Sequence, residues 1–193
     1  MARSDVQLML GVKEGDSASF DLLLERYRTP VIRFLHRMVR DPAMAEDLAQ
    51  EVFLRVYRAR KQYAPSAKFT TWLFRIATNL ALNALRNSRH RGPEVSIEDP
   101  ADGEEETPLA VPDRAPTIEQ RLVERARARQ IQRAILALPE KQRVAVLLHK
   151  YHELDYDQIA RILGCSESAL KSLLFRAYEA LRVELAPLVG QRV

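Results

Sequence analysis

The sequence predicts an all-α fold of two small helical domains joined by a flexible, acidic linker. Three observations predict it. Apolar residues recur at spacings of three and four, and no stretch alternates as a strand would. Helix-start signals punctuate these runs: Asp41-Pro42, Thr117 with Gln120, Pro139-Glu140 and Asp155 with Gln158. Between two basic halves, residues 92–113 carry eight acids and no Lys or Arg.

Residues 5–39 read as helical, with Phe20, Leu23, Leu24, Tyr27, Val31, Leu35 and Met38 repeating at three or four. Thr29-Pro30 marks a kink or a new helix start, because proline is tolerated best in a first turn. Asp41-Pro42 opens the next helix, which buries Ala45, Leu48, Ala49, Val52 and Val56. A different face of it carries Asp47, Gln50, Glu51, Leu54 and Arg58. Two acids and an apolar Leu54 make that stripe a poor surface for DNA. It suits a protein partner, though a merely solvated face has the same pattern.

Tyr63-Ala64-Pro65-Ser66 reads as a loop. Thr70 or Thr71 can cap the helix after it, whose buried face is Leu73, Ile76, Ala77, Leu80 and Ala84. Thr71, Arg75, Asn79 and Asn83 recur every four residues, with Arg86 close to that line. Arg and Asn are side chains that read base edges and grip phosphates. Phe69, Trp72 and Phe74 cluster at the helix start beside Lys68. Aromatics next to cations hold unstacked, single-stranded bases. Each of Trp72 and Phe74 taken alone reads more readily as core than as a site residue; the cluster with its loop points to a nucleic-acid site.

Residues 92–116 form the linker. Five of the ten prolines fall at positions 93, 100, 108, 112 and 116, and Glu104-Glu105-Glu106 adds self-repulsion. Such a segment cannot offset its own ordering entropy, so an extended tether is expected. Helix resumes after it, capped by Thr117 with Gln120 and restarted at Pro139-Glu140.

The stretch DYDQIARILGCSESALKSLLFRAYEALR, residues 155–182, then reads as two helices and a tight turn. Asp155 and Gln158 form a capping box, Gly164 suits a left-handed C-cap, and Ser166 caps the second helix. Ala169, Leu170, Leu173, Leu174, Ala177 and Leu181 form the buried arc of that helix. Ser168, Lys171, Ser172, Phe175, Arg176, Glu179 and Arg182 form the other. Helix, glycine turn and a basic polar face are the pattern of a helix-turn-helix. An ordinary αα-hairpin with a solvated face shares the spacing.

The bulk properties agree with a polyanionic partner. Residues 1–91 hold 16 Lys and Arg against 9 Asp and Glu, and residues 114–193 hold 14 against 9. A single cysteine, Cys165, excludes a disulfide framework and a cysteine zinc cluster within one chain. No apolar run approaches the roughly 18 residues of a membrane span, so a soluble, cytoplasmic protein without membrane insertion is expected. The four histidines do not cluster, and no HExxH, Walker or GxGxxG pattern occurs. The sequence therefore points to no catalytic residue, no metal, no cofactor and no small-molecule substrate.

Three segments resemble one family. Residues 41–58, DPAMAEDLAQEVFLRVYR, are similar to the region 2 helix of bacterial RNA polymerase sigma factors of the extracytoplasmic-function (ECF) group of the sigma-70 family. Residues 69–86, FTTWLFRIATNLALNALR, resemble the segment that engages the minus-ten promoter element. Residues 138–182, with LPEKQRVAVLL and YDQIARILGCSESALKSLLFRAYEALR, resemble region 4 and its helix-turn-helix. The resemblance implies a region 2 domain over residues 1–91, a linker over 92–116 and a region 4 domain over 117–193. It also implies a sigma factor rather than an enzyme.

Roles follow by position from the same resemblance. Asp47, Gln50, Glu51 and Leu54 would dock on the clamp of the polymerase β′ subunit, with the β subunit as a second contact. Lys68, Phe69, Thr71, Trp72, Arg75, Asn79, Asn83 and Arg86 would open the minus-ten element and capture its flipped bases. Ser166, Glu167, Ser168, Lys171, Ser172, Phe175 and Arg176 would read the minus-thirty-five element in the major groove. Promoter DNA and core RNA polymerase are the implied partners, and an anti-sigma factor the implied regulator. The linker would thread through polymerase toward the RNA exit path. Departures from the family pattern at Thr78, Asn83, Ala169 and Leu173 bear on which promoter is read. A stand-alone helix-turn-helix regulator would explain residues 138–182 but leave the 41–58 face and the aromatic cluster without a task. An all-α enzyme or a regulatory adaptor is a third class; an adaptor would bind protein without opening DNA.

Overall fold

The computed structural model describes residues 3–91 and 117–189; the expected linker lies outside the described residues. Among those described there is helix and no strand. The helices are α1 (Asp5–Lys13), α2 (Ser17–Val39), α3 (Pro42–Arg58), α4 (Phe69–Arg91), α5 (Ile118–Ala137), α6 (Glu140–Tyr151), α7 (Tyr156–Leu163) and α8 (Glu167–Val189). A single 3-10 turn, Arg60–Gln62, follows α3.

Local signals place most of the boundaries. The Asp41 carboxylate accepts the Met44 N–H at 3.0 Å with Pro42 in the first turn, and Thr117 and Gln120 cap α5 reciprocally. Residues 5–39 divide into two helices at Glu14–Asp16. Ser4 with Gln7 caps α1, and Asp16 caps α2 through the Ser19 N–H. Pro30 neither ends nor restarts a helix: α2 runs through it from Ser17 to Val39. The missing N–H removes one backbone bond, and burial of Val31, Phe34, Leu35 and Met38 just beyond outweighs that loss. The cap expected at Thr70 or Thr71 is displaced too. The α4 helix already begins at Phe69, and the Lys68 carbonyl accepts the Thr71 N–H at 3.0 Å.

The first half packs α2 between α1, α3 and α4, with Phe34 meeting Phe74 edge-on at 5.5 Å. The second half packs α6, α7 and α8 around Leu147, Leu148, Ile159, Leu170 and Leu174. The two halves also touch. The α6 and α7 helices lie against α2 and α4, and the His152 ring sits 4.5 Å from that of Phe74 and 5.8 Å from that of Phe34. Arg143 donates to the Met38 carbonyl at 2.9 Å across this contact, and to the Leu136 and Leu138 carbonyls on its own side. Its guanidinium thereby satisfies the C-terminal end of α2, where carbonyls lack helical partners. No described helix is long and apolar enough to cross a membrane.

Candidate nucleic-acid and polymerase interfaces

Three surfaces emerge, and each is set by how its helix is buried. On α3, Ala45, Ala49, Val52, Phe53 and Val56 face the core. That register turns Asp47, Gln50 and Leu54 outward, with Leu54 48% exposed. Glu51 is half-buried and accepts the Arg55 guanidinium at 2.7 Å. That hydrogen bond holds its carboxyl below the ordinary range. The stripe is mixed: Asp47 is acidic, Leu54 apolar, and Glu51 is paired with Arg55 and lies 4.0 Å from Arg58. A shallow groove between α2 and α3, lined by Leu24, Ile32, Phe53 and Gln50 among others, continues it.

On α8 the arrangement is electropositive. Ser166 accepts the Ala169 N–H at 3.2 Å and starts the helix, and Gly164 turns the chain into it at φ +65°. Leu170, Leu174 and Ala177 are buried against α6 and α7. Ser166, Glu167, Ser168, Lys171, Ser172, Phe175 and Arg176 are all exposed. Phe175 is 68% exposed in the midst of Lys171, Ser172 and Arg176, which share one open hollow. Arg176 Nε donates to the Ser172 carbonyl at 3.2 Å, which fixes the stem and leaves the terminal nitrogens facing outward. Glu167 lies 3.9 Å from Lys171, an exposed pair that binding can break at little cost. Ala169, expected on the buried arc, is exposed, because Leu170 and Leu173 already fill the space beside α7.

The start of α4 differs from the sequence expectation. Lys68, Arg75, Asn79, Asn83 and Arg86 are exposed, and Arg86 donates to the Asn83 side chain at 3.2 Å. Trp72 is half-buried between Tyr63 and Phe69. Phe69, however, is only 1% exposed and packs on Tyr27 at 5.4 Å, so it is a core residue here and presents no stacking face. Phe74 is core as well. Thr71 is 4% exposed and its hydroxyl accepts the Gln158 amide of α7 at 3.2 Å. The four-residue series from Thr71 to Asn83 is thus split: Arg75, Asn79 and Asn83 face solvent, and Thr71 faces the second half of the chain.

Sequence reasoning gave Gln158 and Asp155 a capping role alone. Asp155 also lies 3.6 Å from Lys68. The available signal was the burial of Gln158, a polar residue on the apolar side of a short amphipathic helix. Arg143 had no local signal. No group of His, Cys, Asp and Glu suited to a metal occurs among the described residues.

The family model described as Sigma-70 region 2 matches residues 23–91, and that described as Sigma-70, region 4 matches residues 128–181. RNA polymerase sigma-H factor of Pseudomonas aeruginosa is 35% identical over 192 residues, covering 97% of this chain and 96% of that protein. The ECF RNA polymerase sigma-E factor of Escherichia coli is 32% identical over 186 residues, covering 96% of each. The structure of CnrH in complex with the cytosolic domain of CnrY superposes with a TM-score of 0.67 at 17% identity, over 98% of this chain and 99% of that one. At that identity it supports the fold. The sigma factor RpoE of Bartonella quintana, solved with the anti-sigma factor NepR, superposes with a TM-score of 0.60 at 23% identity, over 86% and 96%.

Proposed function

The chain belongs to the sigma-70 family and is a sigma factor of its ECF group; on that premise we propose that its three surfaces bind three different parts of an initiating polymerase. Residues 1–91 form the domain that binds core enzyme and the minus-ten element, and residues 117–193 form the domain that reads the minus-thirty-five element. Asp47, Gln50, Glu51 and Leu54 dock on the β′ clamp, where a polar stripe with one exposed leucine suits a mixed polar and apolar protein partner. Arg75, Asn79, Asn83 and Arg86 run along the strand that is opened. Trp72 and Lys68 stand at the end where bases leave the stack, and binding of those bases offsets the cost of unpairing. Lys171, Ser172, Phe175 and Arg176 enter the major groove: the cations reach base edges or phosphates, and the Phe175 ring touches a thymine methyl.

The work is binding throughout, with no chemical step of the protein's own, and takes place in the cytoplasm. An anti-sigma factor that covers the same surfaces is the expected regulator, as the relatives solved with such partners suggest.

The observation that carries this reading is the segregation of charge. The α3 face, with Asp47, an arginine-paired Glu51 and an exposed Leu54, and the cationic face of α8 sit on separate helices of one chain, so protein and DNA are met by different surfaces. The test is promoter-dependent transcription by this protein with bacterial core polymerase on a randomised promoter library. Enrichment of two elements at fixed spacing is expected; tight duplex binding by the protein alone, without initiation, would overturn it. In the same assay Asp47→Ala with Gln50→Ala should weaken core binding by about 1–3 kcal/mol. Unchanged affinity in titration would remove α3 from the polymerase interface.

A further inference from the structure

We propose that α1, which precedes the residues matched by the region 2 model, is a brace that holds Trp72 ready for an unpaired base, with Asp5 and Lys13 as its two positioning residues. The brace rests on the reading of α4 given above, in which no residue of α1 has a part. It acts on a row of four rings. Tyr27 packs on Phe69 at 5.4 Å, Phe69 on Trp72 at 6.0 Å, and Trp72 on Tyr63 at 5.2 Å. Phe69 and Tyr63 are buried on either side of Trp72, which is itself half-buried one turn after Lys68.

Both ends of the row are tied to α1. At one end the Tyr27 hydroxyl donates to the Asp5 carboxylate, which also accepts the Arg26 guanidinium. At the other, Lys13 Nζ donates to the Tyr63 carbonyl at 3.2 Å, across 50 residues of sequence. The Tyr63 hydroxyl is buried with no hydrogen-bond partner among the described residues. Tyr63 is therefore held by its backbone and its packing rather than by its own polar end. Asp5 opens α1 and Lys13 closes it. They stand about 12 Å apart along one rigid helix, which thus spans the row.

The helix itself is anchored independently of the row. Leu8, Met9 and Val12 bury its apolar face, and it packs on α2, α4 and the 3-10 turn. Gly11 allows the close approach to α2, since a Cβ there would lie 2.7 Å from Ser19 Oγ. Asp5 and Lys13 lie off that buried face and are half-buried. Tyr63 stands in the loop between the 3-10 turn and α4, which has no regular structure of its own. Its position against Trp72 therefore depends on tertiary contacts such as the Lys13 bond. A half-buried indole captures a base only while its neighbours keep it in one geometry. Loosening the row lowers the fraction of molecules ready to bind and leaves the cations of α4 and the α8 face as they are. Loss of the brace thus weakens capture of unpaired bases and spares contact with duplex.

The test uses the full chain with bacterial core polymerase. Lys13→Met keeps the stem and removes the donor, Tyr27→Phe keeps the ring and removes the Asp5 bond, and Lys13→Arg keeps a charged donor. Trp72 is the single tryptophan of the chain, so its emission reports on the row directly. In Lys13→Met that emission should shift to the red and be quenched more readily by acrylamide. Promoter opening should slow roughly ten-fold, as one molecule in about ten holds the ring ready, while closed-complex affinity stays the same. Tyr27→Phe should act in the same direction to a smaller extent, and Lys13→Arg should keep both readouts at the level of the unsubstituted chain. In a Trp72→Leu background Lys13→Met should slow opening no further. Unchanged emission and opening in Lys13→Met would overturn the brace. Equal losses of opening and closed-complex binding, or further slowing on top of Trp72→Leu, would also overturn it, because either marks a general loss of stability. Unchanged opening in Trp72→Leu alone would remove the base-capturing role of α4 and the brace with it. Slow opening in Trp72→Leu with normal opening in Lys13→Met would remove the brace alone.

Discussion

The start of α4 and the exposed face of α8 are both assigned to promoter DNA, and the chain prepares them in opposite ways. On α8 every assigned side chain is exposed, and the buried row of Leu170, Leu174 and Ala177 serves only to present them. On α4 the assigned residues merge with the core. Phe69 is inside, Trp72 is half inside, and Thr71 is bonded to another helix. The difference matches the two tasks. A duplex groove accepts a rigid convex helix as it stands. A flipped base, which the proposed role of α4 involves, needs a concave place with apolar walls.

The largest expected effect breaks the symmetry of the two phenylalanines. Phe69→Ala should lower unfolding stability by about 3–5 kcal/mol, since it empties a fully packed site beside Tyr27 and Trp72. Phe175→Ala should leave stability within about 0.5 kcal/mol and weaken promoter binding instead. Urea denaturation of both variants, alongside promoter binding by the holoenzyme, checks the pair. Equal stability losses would mean that the α8 face is packed in solution and is not a free reading surface.

Next in size are the cations of α8. Arg176→Ala should cost about 1–3 kcal/mol in promoter binding if its terminal nitrogens reach a base, with the loss confined to promoters carrying that base. Lys171→Ala, whose ammonium is shared with Glu167, should cost less. A loss that is equal on all sequences and shrinks with added salt would mark a phosphate contact for either residue. Arg75→Ala on α4 gives the matching measurement for the other region. It should slow strand opening more than it weakens closed-complex binding, and the reverse order would make α4 a duplex-binding helix like α8.

How much of this was legible in the sequence depends on range. Capping boxes at Thr117 and Asp155, the Asp41-Pro42 start and the glycine turn involve residues within four of each other, and the structure contains them all. The exposed face of α8 was equally readable, apart from Ala169, because its buried row has clean helical spacing. Phe69 shows where the reading misled. It stands beside cations, as Phe175 does, but it also lies four residues before Leu73 in the buried row of α4. Phe175 lies off the Leu170–Leu174–Ala177 row. Register, not neighbouring charge, separates the two aromatics. The bonds from Gln158 to Thr71 and from Arg143 to the Met38 carbonyl span 87 and 105 residues. No local pattern encodes such pairs, because each depends on how two helical units dock.

The smallest expected effect sharpens the comparison at the backbone. Both halves end a helix in the left-handed region, α7 at Gly164 with φ +65° and α2 at Arg40 with φ +63°. Nothing lies within 4 Å of a Cβ placed on Gly164, so Gly164→Ala should cost only the conformational penalty of that φ, about 1 kcal/mol. Because this turn aims α8, some loss of promoter affinity should accompany the loss of stability. Arg40→Gly relieves the same penalty but loosens the unfolded chain, so a gain below about 1 kcal/mol is expected. A larger gain would show that α2 stores strain at its C-terminal end, where Arg143 grips the Met38 carbonyl. No gain would assign to Arg40 a compensating contact in the first half.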